Sequence, residues 1–242
     1  MLQNTRELYG HALAASDGDV GHVQDFYFDD KTWMLRYLVA DTGSWLTGRQ
    51  VLLSPHAFGN LAREEKSLHV RLTKKQIENS PPIDSHQPVS RQYEIACHRY
   101  YGWPAYWDGG AMGSGGGASG AMPPAADEAA ADRKLHYRED QHLQSTRAID
   151  GYRLQALDGE IGSVTGFMVD DKSWAIREIV AETGHWYRGK EILISPANVE
   201  GISFAASKVF VGLTMAEIER TAEHHLVQVH AGDHGTNEFP TE

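Results

Sequence analysis

Two short acidic runs carry the residue types that general acid–base catalysis uses. Asp29-Asp30-Lys31 is followed by Arg36, and the same residue types return at Asp170-Asp171-Lys172 and Arg177. Paired carboxylates transfer protons when they lie in different environments within one cleft, so that one is protonated while the other is ionised. Adjacent aspartates in one exposed turn would share a single aqueous environment. The spacing therefore favours a structural turn over a catalytic pair.

Histidines raise the question of a metal site, because the chain has 13 of them. His224, His225, His230 and His234 crowd into the C-terminal tail, and the histidines elsewhere do not recur between the two halves of the chain. Structural zinc sites hold tetrahedral ligands at fixed spacing, usually with cysteines, and neither C-x-x-C nor H-E-x-x-H occurs here. We therefore expect no catalytic residues, no metal site and no cofactor, and the tail histidines remain the one open metal candidate.

Aromatic residues are the stronger candidates, as members of an interface. Trp33 and Trp45 recur 141 positions later as Trp174 and Trp186, and Trp45 and Trp186 fall in loops between predicted strands. Tryptophan serves both cores and interfaces, and both roles stay open for these residues. A second group of aromatic residues lies in the short stretch from Tyr93 to Trp107. We expect this stretch to dock on the protein's own β-domains or on a partner. The candidate interface residues are Trp45, Trp186, Tyr93, Tyr100, Tyr101, Trp103 and Trp107.

An internal repeat organises the chain that positions these residues. A shift of 141 positions aligns Leu2 with Leu143 and holds without a gap to Glu78 and Glu219, and about half the positions from Asp17 to Pro55 are identical to their counterparts. Such a repeat predicts two copies of one small domain. Pairing the two copies around a pseudo-two-fold axis would cover apolar area that each copy alone exposes.

Short strands separated by turns are predicted within each copy. Asp17-Gly18 indicates a hairpin turn, and the apolar spacing slips near Gly21, which predicts a β-bulge there and again at Gly162. The regular spacing of strands and turns favours a small barrel or sandwich. Thr73 with Gln76, and Thr214 with Glu217, have the spacing of a capping box, which predicts a short helix at the end of each copy.

The segment between the copies changes character along its length. Residues from Arg91 to about Tyr101 are predicted to be helical, ended by Gly102 and Pro104, and a glycine-rich linker follows. The predicted domains are residues 1–80 as repeat 1, 81–142 as the insert, 143–223 as repeat 2 and 224–242 as a polar tail.

Charge and cysteine content restrict the partners and the compartment. The chain carries 33 acidic and 22 basic residues, a formal net charge of −11, which would repel a phosphate backbone. One cysteine, Cys97, cannot close an intrachain disulfide, and no apolar run reaches the roughly 20 residues of a membrane helix. We expect a cytoplasmic protein that does not bind nucleic acid.

The repeat resembles a known family. DGDVGHVQDFYFDDKTWMLRYLVADTGSWLTGRQVLLSP and its copy DGEIGSVTGFMVDDKSWAIREIVAETGHWYRGKEILISP are similar to the PRC-barrel domain, named after the cytoplasmic domain of the photosynthetic reaction-centre H subunit. PVSRQYEIACHRYYGWPAYW is similar to the insert of bacterial tandem PRC-barrel proteins. The resemblance implies a mainly β protein: two small PRC-type β-barrels in tandem, each with a short capping helix, joined by a partly helical and partly flexible insert.

The same resemblance implies a role in docking or assembly. Our leading hypothesis is a non-enzymatic, soluble interaction module that docks on protein partners, in which the two barrels pair within the chain and homo-oligomers are a further option. One alternative is a membrane-peripheral accessory of photosynthetic or other bioenergetic complexes. The other is a small-molecule or metal sensor, with its ligand held between the barrels or under the aromatic insert.

Overall fold

The computed structural model describes residues 1–46, 48–62, 64–81, 91–107, 143–184 and 189–221. Over these residues the protein is mainly β, with two seven-stranded sheets and few helices, so the predicted fold class is confirmed. Closure of each sheet into a barrel stays a prediction. The chain divides into two compact units: the leading unit is Leu8–Ser145, and the trailing unit is Met1–Glu7 together with Thr146–Glu242.

The described residues include fourteen strands and five α-helices. The strands are β1 (Leu2–Asn4), β2 (Ala12–Ala15), β3 (Gly18–Asp29), β4 (Met34–Asp41), β5 (Gln50–Leu53), β6 (Phe58–Ala62), β7 (Ser67–Val70), β8 (Leu143–Ser145), β9 (Arg153–Gln155), β10 (Glu160–Asp170), β11 (Ile176–Thr183), β12 (Glu191–Ile194), β13 (Val199–Ser203) and β14 (Lys208–Val211). The helices are α1 (Thr5–Leu8), α2 (Lys74–Glu78), α3 (Arg91–Tyr101), α4 (Thr146–Ile149) and α5 (215–221).

Both sheets have the same strand order. The leading sheet runs β5-β4-β3-β2-β7-β6 with β8 added on β3, and the trailing sheet runs β12-β11-β10-β9-β14-β13 with β1 added on β10. The pairs β2–β7 and β9–β14 are parallel, and the other pairs are antiparallel. Each strand of one sheet therefore has a counterpart in the other.

The added strand of each sheet precedes the opposite repeat in the sequence. Leu2 of β1 pairs with Asp170, and Leu143 of β8 pairs with Asp29. The chain thus starts in the trailing unit, builds the leading unit from Leu8 onward, and closes the leading sheet with β8. The predicted domain boundaries at residues 80, 142 and 223 follow the sequence repeat and stay a prediction.

A bulge interrupts each long central strand near its start. The register of β2 against β3 shifts between Leu13 and Ala14, opposite Gly21, and β9 against β10 shifts in the same way before Gly162. A Cβ at Gly21 would lie 2.0 Å from the Asp41 carbonyl oxygen, and one at Gly162 would lie 2.0 Å from that of Glu182. Only glycine permits this approach, so the bulges predicted at both glycines are confirmed.

The acidic run forms a tight turn at the end of each central strand. Asp29 Oδ1 accepts hydrogen bonds from the backbone N–H of Lys31 (2.9 Å) and Thr32 (3.2 Å), and Asp170 Oδ1 accepts in the same way from Lys172 (3.2 Å) and Ser173 (2.8 Å). Trp33 and Trp174 follow with positive backbone φ values of 55° and 57°, which residues other than glycine rarely adopt. The aspartate bonds hold the chain in this conformation.

Alternation along the central strands builds the cores. Phe26 and Phe28 of β3 are fully buried, as are Phe167 and Val169 of β10 apart from a trace of exposure. In β4 the consecutive residues Leu38–Ala40 are all buried, as predicted for a strand that is covered on both faces. Each core thus lies beneath its long central strand and the strand beside it.

Capping residues fix the helix that ends each repeat. Thr73 and Gln76 form the predicted capping box at α2, and Thr214 and Glu217 repeat its bonds at α5. The carboxylates of the hairpin turns contribute as well. Asp17 accepts from the Lys74 N–H at 2.7 Å, and Asp158 accepts from the Met215 N–H at 2.8 Å.

Gly162→Ala tests the bulge. The new Cβ would overlap the Glu182 carbonyl oxygen, so we expect the free energy of unfolding to fall by about 3 kcal/mol. Gly201→Ala is the matched control in the same sheet, since a Cβ there meets nothing within 4 Å; we expect a change of less than about 1 kcal/mol. Urea unfolding measures both. Equal effects of the two variants would contradict the close approach.

Candidate functional site

The acidic turns have a structural role. Asp29 Oδ2 accepts a hydrogen bond from the Arg36 guanidinium at 3.0 Å, while its Oδ1 caps the turn. Burial raises the pKa of Asp29, but the bonds from Arg36, Lys31 and Thr32 outweigh burial and lower it overall. In the trailing unit the bonds from Ser173 lower the pKa of Asp170 to about 2. Both carboxylates are therefore ionised, and Oδ1 of each caps its turn.

The tryptophans divide between covered and accessible positions. Trp174 is 5% exposed, and Trp33 stacks on Phe28 of its own unit with ring centroids 5.3 Å apart, so both members of the first repeated pair are covered. Trp45 lies half-buried in a short 3-10 helix, Gly43–Leu46, where the Lys74 ammonium sits 4.6 Å from its ring centroid. Trp186 lies outside the described residues. An interface role thus remains a prediction for Trp45 and Trp186.

Helix α3 presents one stripe of its surface to the leading sheet. Its bounds match the prediction, and Glu94, Cys97 and His98 are buried on that stripe while Arg99 is exposed. These residues are three or four positions apart or adjacent, which places them on one helix face. Residues 91–107, the helix and the turn after it, are called the insert segment below. The segment docks on its own unit.

The insert segment packs on a cluster formed by β4 and β5. Tyr37, Val39 and Leu52 are the buried members of this cluster. Tyr93 and Tyr106 of the insert segment lie against it, together with Tyr27 and Leu143 from the neighbouring strands β3 and β8. These two tyrosines of the insert segment thus contact the protein's own sheet.

A buried polar array lies within this apolar contact; it consists of Tyr37, Glu94, His98 and Tyr106. The Tyr37 hydroxyl donates to Glu94 Oε1 at 2.7 Å and lies 2.9 Å from His98 Nε2. The Tyr106 hydroxyl donates to the same Glu94 oxygen at 2.5 Å. Glu94 and Tyr37 are 0% exposed and His98 is 5% exposed, so the array is shielded from solvent. Buried acidic side chains are rare unless they are paired in this way.

Burial keeps the neighbouring acids protonated. Burial, and then the negative charge of Glu94, raises the pKa of the Tyr37 hydroxyl far above its usual range. The same two causes raise the pKa of the Cys97 thiol to about 12. Cys97 is therefore an unreactive thiol while α3 is packed on the sheet, because the thiolate is the reactive form.

Aromatic rings enclose the imidazole of the array. The His98 ring meets the edges of Trp103 and Trp107 at centroid distances of 5.8 and 4.8 Å, and Tyr106 lies at 6.0 Å. The Arg36 guanidinium carbon lies 3.9 Å from the centroid of the Tyr106 ring, a cation–π arrangement. These contacts hold the histidine in a fixed orientation.

A second group of aromatic residues reaches the surface around helix α2. The Tyr100 hydroxyl donates to the Gln76 carbonyl oxygen at 2.8 Å, so Tyr100 and Trp45 both contact α2. Tyr101 stacks on Trp103 with centroids 4.2 Å apart and meets Tyr100 edge-on at 4.8 Å. Tyr100 is 40% exposed, and the other three are half-buried. Trp45, Tyr100, Tyr101 and Trp103 are called the aromatic surface.

Arg49 ties the end of α2 to the residues that lead toward the insert segment. Its guanidinium donates to the Glu78 carbonyl oxygen at 2.9 Å, and to the carbonyl and hydroxyl oxygens of Ser80. The Tyr93 hydroxyl donates to the Pro81 carbonyl oxygen at 3.0 Å. These bonds satisfy carbonyl groups that a helix end leaves without intrahelical partners, and they position α2 beside the aromatic residues.

Metal-binding and membrane-spanning elements were sought among the described residues. No group of three or more His, Cys, Asp or Glu side chains in those ranges could hold a metal ion, and the tail histidines lie outside them. None of the helices described is both long and apolar enough to cross a bilayer.

Ser54 and Ser195 each cap a 3-10 helix, at Pro55–Ala57 and Pro196–Asn198.

The spacing of Tyr93, Cys97, Tyr100 and Tyr101 predicts one helical stripe, but sequence reasoning missed the acid and the base beside it. Glu94 and His98 are four residues apart on the same helix, so they share a face next to that stripe. This spacing was the available signal. The third member, Tyr37, lies 57 residues before Glu94, and nothing local in the sequence connects the two.

A comparison with known protein families identifies part of the chain. Residues 6–77 match the model of the PRC-barrel domain. The match lies in the first repeat and includes β2 to β7; it does not confirm the second PRC-barrel domain that the sequence repeat predicts. No curated protein matches the chain.

Tyr37→Phe tests the buried polar array. The change removes the hydroxyl that joins Glu94 to His98 and leaves two buried polar groups short of a partner, so we expect a loss of about 2 to 4 kcal/mol in unfolding free energy. Tyr93→Phe is the matched control, because it removes a neutral hydroxyl that donates to Pro81 at the same interface and should cost about 1 kcal/mol. Urea unfolding at pH 6 measures both, and equal losses would contradict the array.

Asp29→Asn tests the turn cap through acid stability. Because the folded pKa of Asp29 lies below its unfolded value of about 3.9, its contribution is present above that pH and is lost as the pH falls through the folded pKa. We expect the variant to be less stable at pH 7 by about 1 kcal/mol, with a smaller loss than wild type on going from pH 5 to pH 2. Asp19→Asn, an exposed position on the same strand, should follow the wild-type profile.

Proposed function

We propose that the chain, whose residues 6–77 match the PRC-barrel domain, is a non-enzymatic interaction module built from two such domains that docks on protein partners. Three structural repetitions support the second domain. The strand order is the same in both sheets, the bulge glycines Gly21 and Gly162 make the same close approach, and the tryptophans with positive φ occupy equivalent turns. Two of these features depend on particular residues, which recur at the same repeat distance.

One observation carries the non-enzymatic part of the proposal: the polar residues shared by the two repeats bind the protein's own backbone. Asp29 and Asp170 cap turns, Thr73 and Thr214 cap helices, and Ser54 and Ser195 cap 3-10 helices. A side chain whose oxygen is bonded to local N–H groups is not available as a general base or nucleophile. The polar residues that the two repeats share therefore support a structural role as a scaffold.

The aromatic surface is the proposed docking site. Tyrosine and tryptophan dominate the binding energy of protein interfaces because each buries a large rigid ring while keeping a polar group at its edge. Here the Tyr100 hydroxyl is already bonded to Gln76, so its ring is held in place and a partner would not need to order it. Tyr100 is nevertheless 40% exposed, so part of its ring is accessible to a partner.

Charge and cysteine content support the class of partner and the compartment. The formal net charge of −11 supports a protein partner over a nucleic acid, whose phosphates it would repel. The single cysteine forms no intrachain disulfide and is buried, which supports placing the module in the cytoplasm. The proposal thus concerns a soluble protein that meets its partner in a reducing compartment.

A double variant of the aromatic surface tests the proposed docking. The tagged full-length chain is expressed in its native cells, and co-purified proteins are quantified for wild type and for Trp45→Ala/Tyr100→Ala. We expect at least one stoichiometric partner whose recovery falls by tenfold or more in the variant, since hot-spot truncation costs at least about 2 kcal/mol.

Leu157→Ala/Phe204→Ala is the matched control. It removes two apolar side chains that are 63% and 49% exposed in the trailing unit, and it should leave recovery unchanged. Recovery of no partner by wild type, or equal recovery by wild type and the Trp45/Tyr100 variant, would contradict the proposal. Stabilisation by a small molecule or metal in a thermal-shift screen would instead support a sensor.

A further inference from the structure

The hydrogen atoms of the buried polar array can be counted from its geometry. The Tyr37 oxygen lies 2.7 Å from Glu94 Oε1 and 2.9 Å from His98 Nε2, and both distances are those of hydrogen bonds. A tyrosine hydroxyl has one hydrogen and can donate to only one of these atoms. The hydrogen of the other bond must therefore come from Glu94 or from His98.

The other ring nitrogen of His98 fixes its own hydrogen. Nδ1 lies 2.9 Å from the Pro104 carbonyl oxygen, which can only accept a hydrogen bond. Nδ1 therefore carries a hydrogen, and in a neutral imidazole Nε2 then carries none. Either His98 is doubly protonated and donates from Nε2 to Tyr37, or His98 is neutral and Glu94 is a carboxylic acid that donates to Tyr37. Both forms contain one proton more than a carboxylate beside a neutral imidazole.

The short bond from Tyr106 favours the first form. Its hydroxyl lies 2.5 Å from Glu94 Oε1, a distance typical of a hydroxyl that donates to an ionised carboxylate. An imidazolium, a bridging hydroxyl and a carboxylate in series carry no net charge, so burial of the whole array is tolerated. Loss of the extra proton would leave the array with a net negative charge in a buried site.

We propose that Glu94, Tyr37 and His98 share one buried proton, and that this proton latches helix α3 onto the leading sheet. Glu94 and His98 belong to α3 and Tyr37 belongs to β4, so the proton stabilises a bond between helix and sheet and not a bond within either. The latch closes when the proton is present. It opens as the pH rises and the proton leaves.

Proton linkage sets the pH range of the latch. With α3 detached, Glu94 and His98 would titrate near their reference pKa values of about 4.3 and 6.5. Between these values the detached helix carries the same single proton as the docked array, so docking does not depend on pH. Above about pH 6.5 the detached histidine is neutral, and docking must take up one proton. Each further pH unit then favours detachment about tenfold until the docked array itself gives up the proton.

Among the residues that the structure describes, Tyr27, Tyr37 and Cys97 beside the array have raised pKa values and stay protonated in this range. Burial raises the pKa values of Tyr27 on β3 and of Cys97 on α3, the latter to about 12. The pKa of Tyr37 on β4 is raised by burial and by Glu94. Tyr106 donates to Glu94, and Arg36 on β4 adds a permanent positive charge over the Tyr106 ring. Within the described part of the chain, Glu94 and His98 are the pair of the array that we expect to respond between pH 4 and 8.

Detachment of α3 would expose the apolar face that it covers. Tyr37, Val39 and Leu52 are between 0 and 2% exposed in the docked state. The use of that face, or of the aromatic surface, by a partner rests on the proposed docking function. The shared proton itself does not rest on it, and its test needs no partner.

Cys97 reports the position of α3 because it is the one cysteine of the chain and is 0% exposed. The rate of its reaction with dithiodipyridine in the full-length native protein, divided by the rate in the urea-unfolded chain at the same pH, gives the opening equilibrium free of thiol ionisation. We expect this ratio to be constant between about pH 5 and 6.5 and to rise about tenfold per pH unit above it.

Glu94→Gln separates the shared proton from simple burial. The amide N–H groups of glutamine can donate to the hydroxyl oxygens of Tyr37 and Tyr106 while Tyr37 donates to neutral His98, so the array is complete without an extra proton. We expect the labelling ratio of this variant to change by less than threefold from pH 5 to pH 8. Glu78→Gln removes the same charge from an exposed helical position and should follow wild type.

The tautomeric state of His98 gives a second, direct measurement. In ¹⁵N-labelled protein at pH 6 we expect both ring nitrogens of His98 to have the shifts of an imidazolium or of an Nδ1-protonated ring bonded at Nε2. A wild-type labelling ratio that is flat from pH 5 to 8, a Glu94→Gln variant that keeps the wild-type slope, or an Nε2-protonated neutral ring would each overturn the proposal. These results would leave the docking test of the aromatic surface unaffected.

Discussion

Each sheet depends on one long strand that must serve three neighbours. Strand β3 pairs with β2 along its first residues, with β8 along its last residues and with β4 along most of its length, and β10 does the same with β9, β1 and β11. Because β4 occupies one edge of β3, β2 and β8 pair with successive stretches of the opposite edge. The bulge at Gly21 or Gly162 shifts the register where the first of these neighbours pairs, and the missing Cβ lets the adjacent carbonyl approach.

Local signals in the sequence were sufficient for much of this framework. Turns, bulge glycines and capping boxes depend on residues close together in the chain, and the prediction of the bulge near Gly21 and of α3 was confirmed for that reason. The pairing of β1 with β10 and of β8 with β3 does not follow from such local signals. Leu2-Gln3-Asn4 and Leu143-Gln144-Ser145 are nearly identical, so each could pair with either central strand, and the choice depends on the path of the whole chain.

The buried polar array shows where local reasoning stops. Aromatic spacing predicts a packed stripe on α3, in which Cys97 is buried and Tyr100 is 40% exposed. A glutamate and a histidine on a helix, by contrast, are usually assigned to solvent. Their burial depends on Tyr37, which comes from another strand and supplies the hydroxyl between them. Tyr37 in turn looked like an ordinary core aromatic within an apolar run. The cost of burying the acid and the base is met only when all three side chains meet, and no single segment encodes that meeting.

Divergence between the repeats distinguishes the face of the leading unit beneath the insert segment. The position of Tyr37 is occupied by Glu178 in the second repeat, so the bridging hydroxyl of the array has no counterpart there. The residues that the repeats share are those that form bulges and cap turns. They shape the scaffold and do not depend on which residues its surface carries. The insert segment and the strand face beneath it are specific to the leading unit, and they combine a buried acid–base pair with accessible tyrosine and tryptophan rings. Under the proposed docking function, the shared residues would maintain the scaffold and the divergent face would carry recognition.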